Sequence, residues 1–161
     1  MMEQIGNADE TSVWLDMSSS TTITQRGDKD VKLLSTSNEH SCFTVMLACT
    51  ANGRKLPPFI IFKRKTILKE VLSPGVVIRV NKKEYIDEAM MLEWIRVVWN
   101  RWASALLRLR SMLVLDAFRG HLTDAVKHAL GDGKTDLAVI PGDMTSTLQP
   151  LEVVLNKPFK G

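Results

Sequence analysis

The sequence predicts an α/β fold: a mixed sheet of antiparallel hairpin strands followed by βαβ units, flanked by helices. Three observations predict it. Phe43–Thr50 (FTVMLACT) is apolar on both faces, runs into Asn52-Gly53, and is followed by a second apolar stretch at Leu56–Phe62; Asn-Gly is the strongest short hairpin signal. An apolar stripe at helical spacing follows, and beyond it short, wholly apolar segments alternate with another helical pattern.

Taken in order, residues 16–40 are polar and Ser/Thr-rich and read as loop with weak strands. Phe43–Thr50 reads as a central strand, and Leu56–Phe62 as its returning partner, with the prolines near its start. Ser73-Pro74-Gly75 makes a further turn into a strand at Val76–Val80. Asp87 caps a helix expected to run to about Leu107, with Met91, Ile95, Val98 and Trp102 beside Met90, Trp94 and Trp99 as one broad apolar stripe. Its tryptophans read as core, not as a base-stacking platform. Met112–Leu115 is a short buried strand that ends in Asp116. A helix is expected over His121–Leu130, closed by Gly131-Asp132-Gly133, then a strand at Leu137–Ile140 and a helical start from Leu148 to about Lys157.

The chain has 161 residues, 45% hydrophobic and 24% charged, which suits one globular domain, taken as 1–161. No apolar run approaches a membrane span, and the N-terminus lacks the apolar core of a signal peptide, so no membrane partner is expected and the compartment is cytosol or nucleus. Cys42 and Cys49 lie seven apart in one strand and point to opposite faces, which argues against a disulfide or a shared metal. Charge is uneven. From Arg54 to Arg110 there are thirteen Lys or Arg against five Asp or Glu, a net of +8, while the rest carries a net of −5. A basic middle beside acidic ends points to a polyanion held near a cation-binding site.

Three acids stand out. Asp116 sits at the carboxyl end of a strand, where sites form in open α/β sheets. Asp9 precedes a Thr/Ser pair, and Glu152 lies early in the last expected helix, far enough from Asp116 for one helix, one strand and a return. Carboxylates brought together repel one another unless a cation joins them, and oxygen-only ligands suit Mg²⁺ or Mn²⁺.

Four stretches resemble the DDE-type endonuclease domain of the mariner–pogo superfamily, in particular its pogo, Tigger and jerky group. These are NADETSVW (Asn7–Trp14), FTVMLACTANGRKLPPFIIFK (Phe43–Lys63), LVLDAFRGH (Leu113–His121) and IPGDMTSTLQPLEVVLNKPFK (Ile140–Lys160), in family order along nearly the whole chain. The resemblance implies a ribonuclease H-like fold and places the first, second and third catalytic acids on Asp9, Asp116 and Glu152. It implies the catalytic domain of a pogo-like DNA transposase, cleaving and transferring DNA strands with Mg²⁺ or Mn²⁺ in the nucleus; the oligomeric state is not set by the sequence, a homo-oligomer being one option. The alternative it leaves open is a domesticated nuclear DNA-binding or scaffold domain without catalysis. Lys63, Arg64 and Lys65 are candidate phosphate contacts, and His121, five residues after Asp116, is a candidate contact to the metal site or to a phosphate. The chain departs from the pogo pattern in carrying Glu152 where that branch has Asp, and Asp143 where Gly is common. With eight residues before Asp9 and a poor apolar pattern around it, the first strand is expected to be clipped. Nothing resembles the family's helix-turn-helix units, so a catalytic domain or a piece of one is expected.

Overall fold

The computed structural model describes residues 4–14, 42–63, 74–83, 85–102 and 109–151. The expected loop over 16–40, and Arg64, Lys65 and Glu152, lie outside them. Six strands form one sheet: β1 (Ile5–Trp14), β2 (Cys42–Thr50), β3 (Phe59–Lys63), β4 (Val77–Asn81), β5 (Ser111–Asp116) and β6 (Thr135–Ile140), in the spatial order β4-β3-β2-β1-β5-β6. The helices are α1 (Glu88–Val97), α2 (Asp124–Asp132) and a single turn, α3 (Thr145–Leu148). This is the mixed α/β sheet that the strand pattern predicts.

The β2–β3 hairpin forms as expected, antiparallel with Phe43 opposite Phe62 and Met46 opposite Phe59. Gly53 takes φ +86° in its turn, a conformation that favours glycine. β4 differs from the expectation of an antiparallel set. It pairs with β3 in parallel, Phe59 opposite Val77, so the chain crosses over between them instead of turning back.

β1 is not clipped. It is a ten-residue central strand, antiparallel to β2 along its whole length and parallel to β5 from Ile5 to Asn7. Its sequence hides this because its inward positions are small or polar. Gly6 and Ala8 face the helices, while Asn7, Asp9 and Thr11 alternate onto the other face and are buried there.

The core lies between the sheet and α1 and α2. Ala8, Met46, Phe59, Ile61, Leu113 and Leu115 meet Met91, Trp94, Ile95, Val126 and Leu130. Asp87 caps α1 as expected, accepting from the Met90 amide at 3.1 Å. The helix stops at Val97 and tightens into a 3₁₀ turn, Trp99–Arg101, well short of Leu107. That change of pitch stacks Trp99 between Trp94 and Trp102, with ring centroids 6.1 and 5.3 Å apart. The Trp99 indole donates to Thr135 Oγ1 at 2.9 Å, which fastens the end of α1 to the start of β6. α2 starts later than expected. Thr123 caps it, and His121 belongs to a separate 3₁₀ turn, Arg119–His121. Of the helix expected from Leu148 onward, residues beyond 151 lie outside the described region.

Gly6 is required by close approach. A Cβ there would meet two ring atoms of Trp99 at 2.5 and 2.6 Å. Gly6→Ala is therefore expected to lower stability by about 1–3 kcal/mol by overpacking. In a Trp99→Phe background, whose shorter ring leaves room, the added cost should fall below half of that. Denaturant unfolding of the four proteins measures the coupling.

Candidate active site

The site begins with β1 and β5. Their register pairs Asn7 with Val114. Carried two residues on, it sets Asp9 level with Asp116, and strand alternation puts both on the face opposite Ala8 and Leu115. Asp9 is buried, whereas the Asp116 side chain is 28% exposed at the last position of its strand. The two acids thus sit on adjacent central strands, at the carboxyl end of β5.

The C-terminal segment docks on the same face. Asn7 Nδ2 donates to Val114 O at 3.1 Å, and Asn7 Oδ1 accepts from the Leu151 amide at 3.3 Å. Gln149, fully buried, donates from Nε2 to Ala8 O at 3.3 Å. Leu151 is the last described residue, and Glu152 follows it outside the described region. Among the described residues, no three His, Cys, Asp or Glu side chains form a metal cage. The donors that Asp9 and Asp116 offer are all oxygen, which fits a hard divalent cation.

His121 lies at the sheet's edge between two carboxylates. Its side chain is 2% exposed, with Nδ1 2.8 Å from Asp116 Oδ1 and Nε2 2.6 Å from Glu10 Oε1. Ionised carboxylates only accept, so the ring donates from both nitrogens and is an imidazolium. With both nitrogens engaged by carboxylates, neither is left for a phosphate or a metal. Glu10 was missed in the sequence because strand alternation turns it away from Asp9, and its partner lies 111 residues on.

Burial alone would push the His121 pKa down. The hydrogen bonds to Asp116 and Glu10, with the charges of both, outweigh it and raise the pKa from 6.5 to about 9. For Asp116, burial pushes upward, but the hydrogen bond and charge of His121 and the Phe118 amide prevail and hold it below the usual carboxylate range.

Three of the thirteen Lys and Arg of the basic middle are seen in ion pairs among the described residues. Arg79 and Arg96 both bind Glu93, at 2.7 and 2.8 Å, and Arg110 binds Asp136 at 2.7 Å. Lys63 ends β3 on the surface. No helix among the described residues is long and apolar enough to cross a membrane.

A raised histidine pKa contributes stability that is complete below the unfolded value of 6.5 and is lost as pH rises through about 9. The lowered Asp116 pKa contributes stability above its ordinary 3.8 that is lost as pH falls below it. Between pH 6.5 and 9.5 the protein should lose on the order of 3 kcal/mol through His121. Urea unfolding across that range should show the loss, and His121→Asn should flatten it. An equal pH slope in the variant would assign the loss to other groups.

Residues 40–161 match the DDE superfamily endonuclease family. Over 156 residues, 97% of this chain, it is 41% identical to "Pogo transposable element with KRAB domain" of Homo sapiens and of Mus musculus. It is 29% identical over 154 residues to the human "Pogo transposable element with ZNF domain". The chain spans about a quarter of the length of the first two and 10% of the third. Among solved structures it resembles the "Mos1 transposase paired-end complex with left transposon end", at TM-score 0.55 and 13% identity, over 99% of this chain and 41% of that one. That likeness bears on the fold, and it agrees with a ribonuclease H-like sheet. The chain belongs to the DDE superfamily endonuclease family, as a transposase-derived domain similar to those of pogo and mariner transposases.

Proposed function

We propose that this domain cleaves DNA strands and joins the freed ends in a divalent-metal-dependent reaction, with Asp9, Asp116 and Glu152 as ligands of Mg²⁺ or Mn²⁺. The observation that carries this reading is the placement of Asp9 and Asp116 level with each other, on one face of neighbouring parallel strands. Support for Glu152 comes from the chain just before it. Leu151 is fastened to Asn7, two residues from Asp9 on the same face.

Held by Asp9, Asp116 and Glu152, divalent ions would supply activation of an attacking oxygen and stabilisation of a leaving one in phosphodiester transfer. The chain's own part is to hold carboxylate oxygens in fixed directions from a rigid sheet. Lys63, Arg64 and Lys65, where β3 ends, supply positive charge for DNA phosphates. DNA as the partner is supported by the Mos1 neighbour, which is a complex with a transposon end. The place of action is the nucleus.

A second reading is a domesticated DNA-binding or scaffold domain without catalysis. It draws on relatives whose names join a pogo transposable element to a KRAB domain. Nicking of supercoiled plasmid separates the two. The first reading expects nicking with Mg²⁺ or Mn²⁺, and a loss of at least about a hundredfold in Asp9→Asn and in Asp116→Asn. Plasmid left intact by a folded, metal-loaded protein would leave the second reading standing.

Both readings expect DNA affinity that falls with salt, since phosphate neutralisation releases counterions. Replacing Lys63, Arg64 and Lys65 together by Glu should weaken duplex binding and reduce the log–log salt slope by about one per lost phosphate contact. Fluorescence anisotropy at several salt concentrations measures it, and an unchanged slope would remove this cluster from the interface.

A further inference from the structure

We propose that Glu10 and His121 are positioning residues for Asp116, forming a tether, Glu10–His121–Asp116, centred on the buried imidazole, that fixes which carboxylate oxygen faces the metal site. The proposal rests on the metal-binding reading of Asp116 and extends it to two side chains that bind no metal themselves.

The geometry is closed at each link. His121 follows β5 on the 3₁₀ turn Arg119–His121, so its backbone is set by the strand that carries Asp116. Its Nδ1 holds Asp116 Oδ1 at 2.8 Å, and the Phe118 amide reaches the same oxygen at 3.4 Å. These contacts from other residues fall on Oδ1, which leaves Oδ2 as the oxygen to present. At its far side His121 Nε2 meets Glu10 Oε1 at 2.6 Å, and Glu10 Oε2 accepts from the Ile86 amide at 3.4 Å, just before α1. The Phe118 ring packs edge-on against the imidazole with centroids 5.2 Å apart. The ring therefore cannot turn without breaking two charged hydrogen bonds, and Asp116 cannot turn without breaking one.

Such outer partners set both the direction and the basicity of a metal-binding carboxylate, and their loss typically costs about 10–100-fold in metal affinity or activity. Glu10 differs from His121 in one useful respect. A glutamine at position 10 still offers an oxygen to Nε2, whereas a leucine does not.

The test is Mn²⁺ binding by isothermal titration to the metal-free protein, beside a thermal melt of each variant. Glu10→Leu and His121→Asn should bind Mn²⁺ about 10–100-fold more weakly while still melting cooperatively. Glu10→Gln should stay within about threefold of the parent. Wild-type affinity in a folded Glu10→Leu and a folded His121→Asn would overturn the tether and leave the metal site standing. Failure of both to fold would make the cluster purely structural and overturn it equally. Asp116→Asn is the control for the underlying reading. If the parent and Asp116→Asn bind Mn²⁺ alike, the metal site itself is misassigned and the tether falls with it.

Discussion

The acid end of the molecule depends on the side chain of Asn7. It is 6% exposed, sits on the central strand β1, and joins three segments that are remote in sequence. Its amide nitrogen binds β5 through Val114 O, and its oxygen binds the C-terminal segment through the Leu151 amide. A buried amide left unpaired costs about 1–3 kcal/mol, so only an arrangement that supplies both partners is stable. The same two bonds set the register of β1 against β5 and bring the chain preceding Glu152 onto the face of Asp9.

That constraint explains why the fold was legible in some places and hidden in others. β2, β5 and β6 are apolar segments bounded by turn residues, and Asp87 is a capping residue before an apolar stripe; local pattern suffices for both. β1 has no such pattern. Its core-facing positions are Gly6, which must be small to admit Trp99, and Ala8, while its other face buries Asn7, Asp9 and Thr11. Asn7 is satisfied there only through long-range partners, Val114 and Leu151, and one sequence does not display those. The end of α1 was hidden for a similar reason. The apolar stripe continues past Val97, but stacking Trp99 against Trp94 and Trp102 changes the helical pitch.

The candidate site divides the same way. Asp116 could be placed from its strand end alone, whereas the resemblance carried the roles of Asp9 and Glu152. Glu10 gave no signal, because its meaning lies in a contact with His121 across 111 positions. The basic middle was legible as a charge count, but its internal ion pairs were not. Arg79 and Arg96 pair with Glu93, which that count already includes, and Arg110 pairs with Asp136 outside it.

Charge also decides what the acid end can tolerate. Asp9 and Glu10 are neighbours on β1, and Asp116 stands level with Asp9 on β5. For Asp116 burial opposes ionisation. The His121 imidazolium offsets it from within, holding Glu10 and Asp116 together while remaining charged through neutral pH. One imidazolium against two carboxylates leaves Glu10, His121 and Asp116 together negative. The tether therefore does two things at once. It holds the Asp116 carboxyl below the usual carboxylate range, and under the proposed metal-binding reading its net negative charge would favour a divalent cation at Asp116.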